Sequence, residues 1–174
     1  MSSSNKNLSD YNSSELPSAE KMSFGIVVSE WNSEITEALY RGAEETLLNC
    51  KCKPENIIRH NVPGSFELPA GAVFFAEYHN VDAVICLGCV IQGETRHFEF
   101  ICTAVSQGIL NLSIKYQKPF IFGVLTTDNL EQAKERAGGK HGNKGVEAAA
   151  TAIKMIALQK EMRGKRSSSV GFKP

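Results

Sequence analysis

The sequence predicts an α/β domain in which a four-stranded parallel sheet lies between layers of helices. Three observations lead there. Strand-like and helix-like segments alternate through the interior of the chain, the order that builds parallel strands with helical crossovers. The strand-like runs are almost continuously apolar, as AVICLGCV at 83–90 illustrates, and strands covered on both faces read this way. The length, 174 residues with 42% hydrophobic and 22% charged, suits one such domain with an ordinary buried core plus tails.

The opening stretch, MSSSNKNLSDYNSSELPSAEK, has too little apolar surface to offset the entropy of ordering, so 1–21 is expected to be a flexible polar tail. The folded unit is expected at 22–162, followed by a flexible basic tail at 163–174. The first strand is the β-branched run FGIVV at 24–28. A helix follows from Ser33, where Ile35, Leu39, Ala43 and Leu47 recur every fourth residue on one face. Ile57 and Ile58 begin a second strand that the breaker Val62-Pro63-Gly64 ends, and 68–78 reads as a second helix. The buried strand at 83–90 leads to a long helix over 97–116, with Phe100, Ile101, Ala104, Val105, Gly108, Ile109 and Leu112 on its core side. Pro119 opens a fourth strand at 120–126, and helices at 129–137 and 143–159 close the chain across a glycine-rich hinge, Gly138-Gly139-Lys140-His141-Gly142.

Charge and cysteine content narrow the function. Lys+Arg and Asp+Glu are each 19, so the net charge of zero argues against a general surface for nucleic acid or anionic membrane. No apolar run is long enough to span a bilayer, and the start lacks the apolar stretch of a secretory signal. Five cysteines, an odd number in a chain that needs no staples, read as reduced thiols in the cytoplasm. Cys86 and Cys89 form C-x-x-C, yet side chains three apart on a strand point to opposite faces, so no metal or redox role is expected of them. His60 and His79 read as structural or surface residues.

Ligands of parallel sheets sit beyond the carboxyl ends of the strands, which directs attention to the loops there. Trp31, the one tryptophan, directly follows the first strand; it can stack on a planar heterocycle or act as a hydrophobic staple beside a cap at Asn32 or Ser33. Pro63-Gly64-Ser65-Phe66-Glu67 offers exposed amides and a carboxylate for the polar edge of a uracil-like ring, or simply a turn with an acidic helix start. Gly93-Glu94-Thr95-Arg96-His97 opens a long helix whose first amides can hold a phosphate. His97 beside it can move protons at neutral pH, or it is a core histidine on the Phe100 face. Arg136, Lys140 and Lys144 surround the glycine-rich turn, as phosphate ligands or as cations opposing a helix dipole; Lys144 and Glu147 are spaced for an ion pair.

Together GIVVSEWN, VPGSFELP, LGCVIQGETRHFEF, FGVLTTDN, QAKERAG and GNKGVEAA, in register from about Phe24 to Leu158, closely resemble the lumazine synthase family of riboflavin biosynthesis. The resemblance implies a flavodoxin-like three-layer α/β/α sandwich that assembles as homopentamers, in some members as twelve pentamers forming a hollow icosahedral shell. It implies condensation of 5-amino-6-(D-ribitylamino)uracil with 3,4-dihydroxy-2-butanone 4-phosphate, without cofactor or metal, to give 6,7-dimethyl-8-ribityllumazine, phosphate and water. By position, Trp31 takes the family's aromatic stacking place, with Asn32 beside it in the substrate-binding set, and Ser65, Phe66 and Glu67 match the segment that binds the uracil and ribityl groups. Cys89, Val90 and Ile91 match the strand end under the pyrimidine, Glu94 and Thr95 the phosphate-side turn, and His97 the proton-transfer histidine. Phe122 and Arg136 match an aromatic and a phosphate-binding arginine contributed by the neighbouring subunit, and Lys144 with Glu147 the helix pair near the site. Glu94 departs from the small residue often found there and is expected to contribute its backbone alone. The linker GGKHGN carries no insertion and resembles that of shell-forming members, with riboflavin synthase the candidate partner inside. Three rival readings keep parts of this pattern: a non-catalytic flavin or lumazine binder, a shell whose main role is to enclose a partner, and a related enzyme that dismutates two lumazines into riboflavin.

Overall fold

A computed structural model describes residues 16–168; the expected tail segments 1–15 and 169–174 lie outside the described residues. Four parallel strands form the sheet: β1 (Phe24–Ser29), β2 (Ile57–Val62), β3 (Ala83–Ile91) and β4 (Phe120–Thr127). Their order is β2-β1-β3-β4. The order reverses between β1 and β3, which is where a doubly wound sheet of the flavodoxin type opens a crevice.

Helices α1 (Ser33–Asn49), α2 (Leu68–Tyr78), α3 (His97–Tyr116), α4 (Leu130–Glu135) and α5 (Lys144–Ser168) cover the two faces. Alternation along β3 sorts the core into two halves. Ala83, Ile85, Leu87 and Cys89 pack with α1, α4 and α5, while Val84 and Cys86 pack with α2 and α3. The thiols of Cys86 and Cys89 thus sit on opposite faces, as their spacing requires, and all five cysteines are free.

The expected fold and the expected strands and first three helices are present, and four differences have physical causes. The folded unit begins before residue 22: Leu16 and Ala19 are buried, and the Ala19 amide donates to the Cys50 carbonyl at 2.7 Å, closing the end of α1. At the other end α5 runs through the expected tail to Ser168, because nothing in KEMRGKRSS breaks a helix except one glycine. The glycine-rich hinge is a small antiparallel hairpin, β5 (Ala137–Gly139) with β6 (Gly142–Asn143). Finally, α3 buries Val105, Ile109 and Leu112, but Phe100 and Ala104 are exposed.

Glycine permits close approaches at two points that position the site and its helices. A Cβ at Gly88 would lie 2.7 Å from the Ser65 hydroxyl, so the turn after β2 rests directly on β3. A Cβ at Gly145 would lie 1.8 Å from the Leu39 carbonyl oxygen, which lets α5 start against the backbone of α1. Among the described residues no helix is long and apolar enough to cross a membrane.

Candidate active site

A hollow of about 630 Å³ opens at the carboxyl ends of β1 and β3, on the α2/α3 side of the crevice. Its walls are Trp31 and Asn32 after β1, Gly64, Ser65, Phe66 and Glu67 after β2, Cys89, Val90 and Ile91 at the end of β3, and His97, Phe100 and Ile101 from α3. Three separate loops converge because a parallel sheet delivers every strand's carboxyl end to one edge.

Trp31 is 73% exposed, so it is no staple; its ring is offered to the hollow. Its backbone is fixed from both sides. The Glu30 and Trp31 amides donate to the carbonyls of Val62 and Pro63 at 2.9 and 3.2 Å, and the buried Ser29 hydroxyl donates to the Trp31 carbonyl at 3.4 Å. Asn32 is the N-cap position of α1 in a left-handed conformation (φ 60°, ψ 45°), yet its side chain does not cap the helix. It reaches across instead, and Nδ2 donates to the Cys89 carbonyl at 3.0 Å.

Opposite Trp31, residues 65–67 form one turn of 3-10 helix leading into α2. Ser65 is buried and its hydroxyl approaches the same Cys89 carbonyl at 3.5 Å. Phe66 is 55% exposed, a second aromatic ring free to pack on a ligand. The Glu67 carboxylate folds back over Gly64, where a Cβ would come within 3.1 Å of Oε2. Val90 has its side chain on the α2/α3 face, whereas Cys89 and Ile91 belong to the other half of the core. The Cys89 thiol is pushed up to about 11 by burial and stays protonated, so Cys89 brings backbone to this wall and no nucleophile.

His97 begins α3 and is exposed, which removes the reading of a satisfied core histidine. Its amide donates to the Thr95 hydroxyl oxygen at 3.4 Å. Glu94 and Thr95 are exposed on the turn just before it, beside the hollow and outside its lining. Arg96 is held by Glu99 at 3.1 Å, so its charge is largely spent within the turn. Phe100, one turn along from His97, is expected in the core but is exposed at the hollow, whereas Ile101 packs on the core as expected and lines the hollow as well. Their spacing of three and four residues from His97 places them on its face.

Phe122, Arg136, Lys144 and Glu147 are not among the lining residues of this hollow. Phe122 lies on the edge strand β4 opposite Cys86, three residues below Cys89, or roughly 10 Å along the strand at the usual rise. Arg136 caps the end of α4 on the other side of the sheet, and Nη1 donates to the Gln132 carbonyl at 3.2 Å. Among the described residues Arg136 has no acidic partner within ion-pair distance. Lys144 and Glu147 form the expected ion pair at 2.7 Å at the start of α5.

The family model for 6,7-dimethyl-8-ribityllumazine synthase matches residues 21–160. The chain belongs to this family. Relatives of that name include one from Cytophaga hutchinsonii, 66% identical over 157 residues, which is 90% of this chain and 98% of the relative. One from Flavobacterium johnsoniae is 54% identical over 161 residues, 92% of this chain and 85% of the relative. Another from Parabacteroides distasonis is 54% identical over 156 residues, 90% of this chain and 98% of the relative. As a lumazine synthase family member the chain is an enzyme of riboflavin biosynthesis acting on small molecules. Trp31, the 64–67 turn, the β3 end and His97 bring aromatic surface, amide edge, carboxylate and imidazole to one hollow.

Proposed function

We propose that the chain condenses 5-amino-6-(D-ribitylamino)uracil with 3,4-dihydroxy-2-butanone 4-phosphate in this hollow, and that a second copy of the chain completes it. One observation supports the split most directly. The heterocycle-binding candidates line a single hollow, while the aromatic and cationic candidates Phe122 and Arg136 stand outside it on the same chain. An arginine with no acidic partner among the described residues, half-buried on a helix end, is suited to receive an anion from an adjoining molecule.

In this reading Trp31 and Phe66 pack on the pyrimidine, and the turn amides with Glu67 read its polar edge. The amine of the uracil attacks the butanone carbonyl and water leaves to give an imine. Phosphate is then eliminated, and ring closure with loss of a second water yields the lumazine. Both reactants are already reactive, so most of the acceleration comes from holding them together. His97 takes and returns protons during imine formation and elimination. The first amides of α3 and the neighbour's Arg136 stabilise the departing phosphate. Glu94 contributes its backbone, its carboxylate turned outward, and Lys144 with Glu147 supports the neighbour's side.

The purified protein supplied with both substrates is expected to produce lumazine absorbance together with orthophosphate. Arg136→Ala is expected to raise the KM for the butanone phosphate by about tenfold or more, the usual loss for a charged hydrogen-bond donor to phosphate. An unchanged KM overturns the role given to Arg136. His97→Ala is expected to lower kcat by only about tenfold, because proximity survives the loss of the imidazole.

A further inference from the structure

Asn32 stands apart from its neighbours in the hollow, since its side-chain amide is turned onto protein backbone. The chain direction of β3 explains why. The Val84 amide donates to Pro119 and the Gln92 amide to Thr127, so the even-numbered residues of β3 face β4 and the odd-numbered ones face β1. Pairing with β1 ends at Val28 opposite Leu87. The Cys89 carbonyl therefore points to the β1 side just where β1 has run out. Asn32 Nδ2 meets it there at 3.0 Å and takes the place of the missing strand amide. The left-handed backbone at Asn32 (φ 60°) turns the side chain inward to make that bond, a conformation asparagine tolerates better than other residues with a side chain.

The consequence concerns Trp31. Its backbone is tied to the β2 loop through Val62 and Pro63, and the neighbouring amide of Asn32 ties the same segment to β3. The Asn32 side chain is thus a direct tie between the segment that carries the Trp31 ring and the Cys89–Ile91 wall. We propose that Asn32 is a positioning residue, not a ligand contact: it fixes the width of the slot in which the heterocycle is held. This rests on the reading of the hollow as the lumazine site and replaces a direct binding role for Asn32.

Trp31 is the sole tryptophan, so its emission reports on the slot without a label. The test compares wild type with Asn32→Gly, which keeps the left-handed backbone and removes the amide, in the full-length assembled protein. Without ligand, Trp31 in Asn32→Gly is expected to be quenched more readily by acrylamide and to show lower anisotropy. On titration with 6,7-dimethyl-8-ribityllumazine, affinity is expected to fall about fivefold, the loss for one neutral hydrogen bond. Weaker affinity with unchanged apo Trp31 emission would mean that Asn32 touches the ligand, and the proposal fails. Equal affinity also overturns it. Failure of the lumazine to quench wild-type Trp31 at all would instead refute the binding reading beneath it. Should Asn32→Gly not fold, Asn32→Asp carries the same test. It keeps the size and sets an oxygen against the Cys89 carbonyl, so Trp31 is expected to be looser at neutral pH and to tighten as the carboxyl protonates.

Discussion

Glu37 and Arg59 meet across the outer edge of the sheet, one from α1 and one from β2, in a two-pronged ion pair whose Nη1–Oε2 arm is 3.0 Å. The guanidinium also lies 4.2 Å from the centre of the Tyr40 ring, and Tyr40 donates to Glu44 at 2.6 Å. Burial and Glu44 push the Tyr40 phenol up to about 12, and the Arg59 hydrogen bond holds the Glu37 carboxyl below its ordinary 4.5. A carboxyl depressed on folding gives stability that is complete above its unfolded value and disappears as pH falls through its folded value. Arg59→Met is therefore expected to cost at most about 1 kcal/mol at pH 7, since solvent screens a partly exposed pair. Urea unfolding of wild type and variant should converge below pH 4.5; a gap that persists at pH 2 would show packing on Tyr40, not charge, to be the source. At this same scale the sequence was legible where a residue's type and loop position suffice: Trp31, Ser65–Glu67 and His97 do meet in one hollow. It was not legible for Asn32, whose contact with Cys89 spans 57 residues and depends on where β1 stops pairing.

Elements obeyed the sequence best where one rule decided them. Apolar β-branched runs gave β1, β3 and β4, and a four-residue period gave α1, because each signal is local and core packing reinforces it. The hairpin at 137–143 escaped because glycines read as a hinge until two short segments are seen to pair, and Phe100 escaped because periodicity names a face without saying what covers it. Helix contacts are a further matter that composition conceals. Gly145 and Gly42 let α1 and α5 touch through backbone, with Asn143 filling the space a Gly42 side chain would take and donating to the Ala38 carbonyl at 2.9 Å. A methyl at 145 has backbone oxygen 1.8 Å away and cannot be relieved by a rotamer change. Gly145→Ala is thus expected to destabilise by about 3 kcal/mol or more, read as a lowered denaturation midpoint. Gly93→Ala, with no atom within 4 Å of the new methyl, is the control and should unfold with the wild type. Equal midpoints for the two variants would mean that α5 shifts freely on α1.

For the molecule as a whole, the described chain leaves several large apolar side chains exposed on one layer. Phe74 and Tyr78 on α2 are 58% and 79% exposed, and Phe100, Leu110 and Ile114 on α3 are 66%, 60% and 67% exposed. All belong to the α2/α3 layer that flanks the hollow, and Phe122 on the edge strand β4 extends that surface. A layer so apolar is suited to pack against another copy of the chain, bringing a neighbour's groups to the hollow. That reading makes a prediction no single-chain site can satisfy. Subunits carrying Arg136→Ala keep an intact hollow with His97, and subunits carrying His97→Ala keep an intact Arg136. When the two are coexpressed with different tags and mixed assemblies are isolated, about a quarter of the sites should pair an intact hollow with an intact arginine by random association. With butanone phosphate kept below its wild-type KM, lumazine formation per site should then rise well above the mean of the two parent variants, towards about one quarter of wild type. If His97 and Arg136 serve the same hollow from one chain, every site remains defective and the mixture gives only that mean.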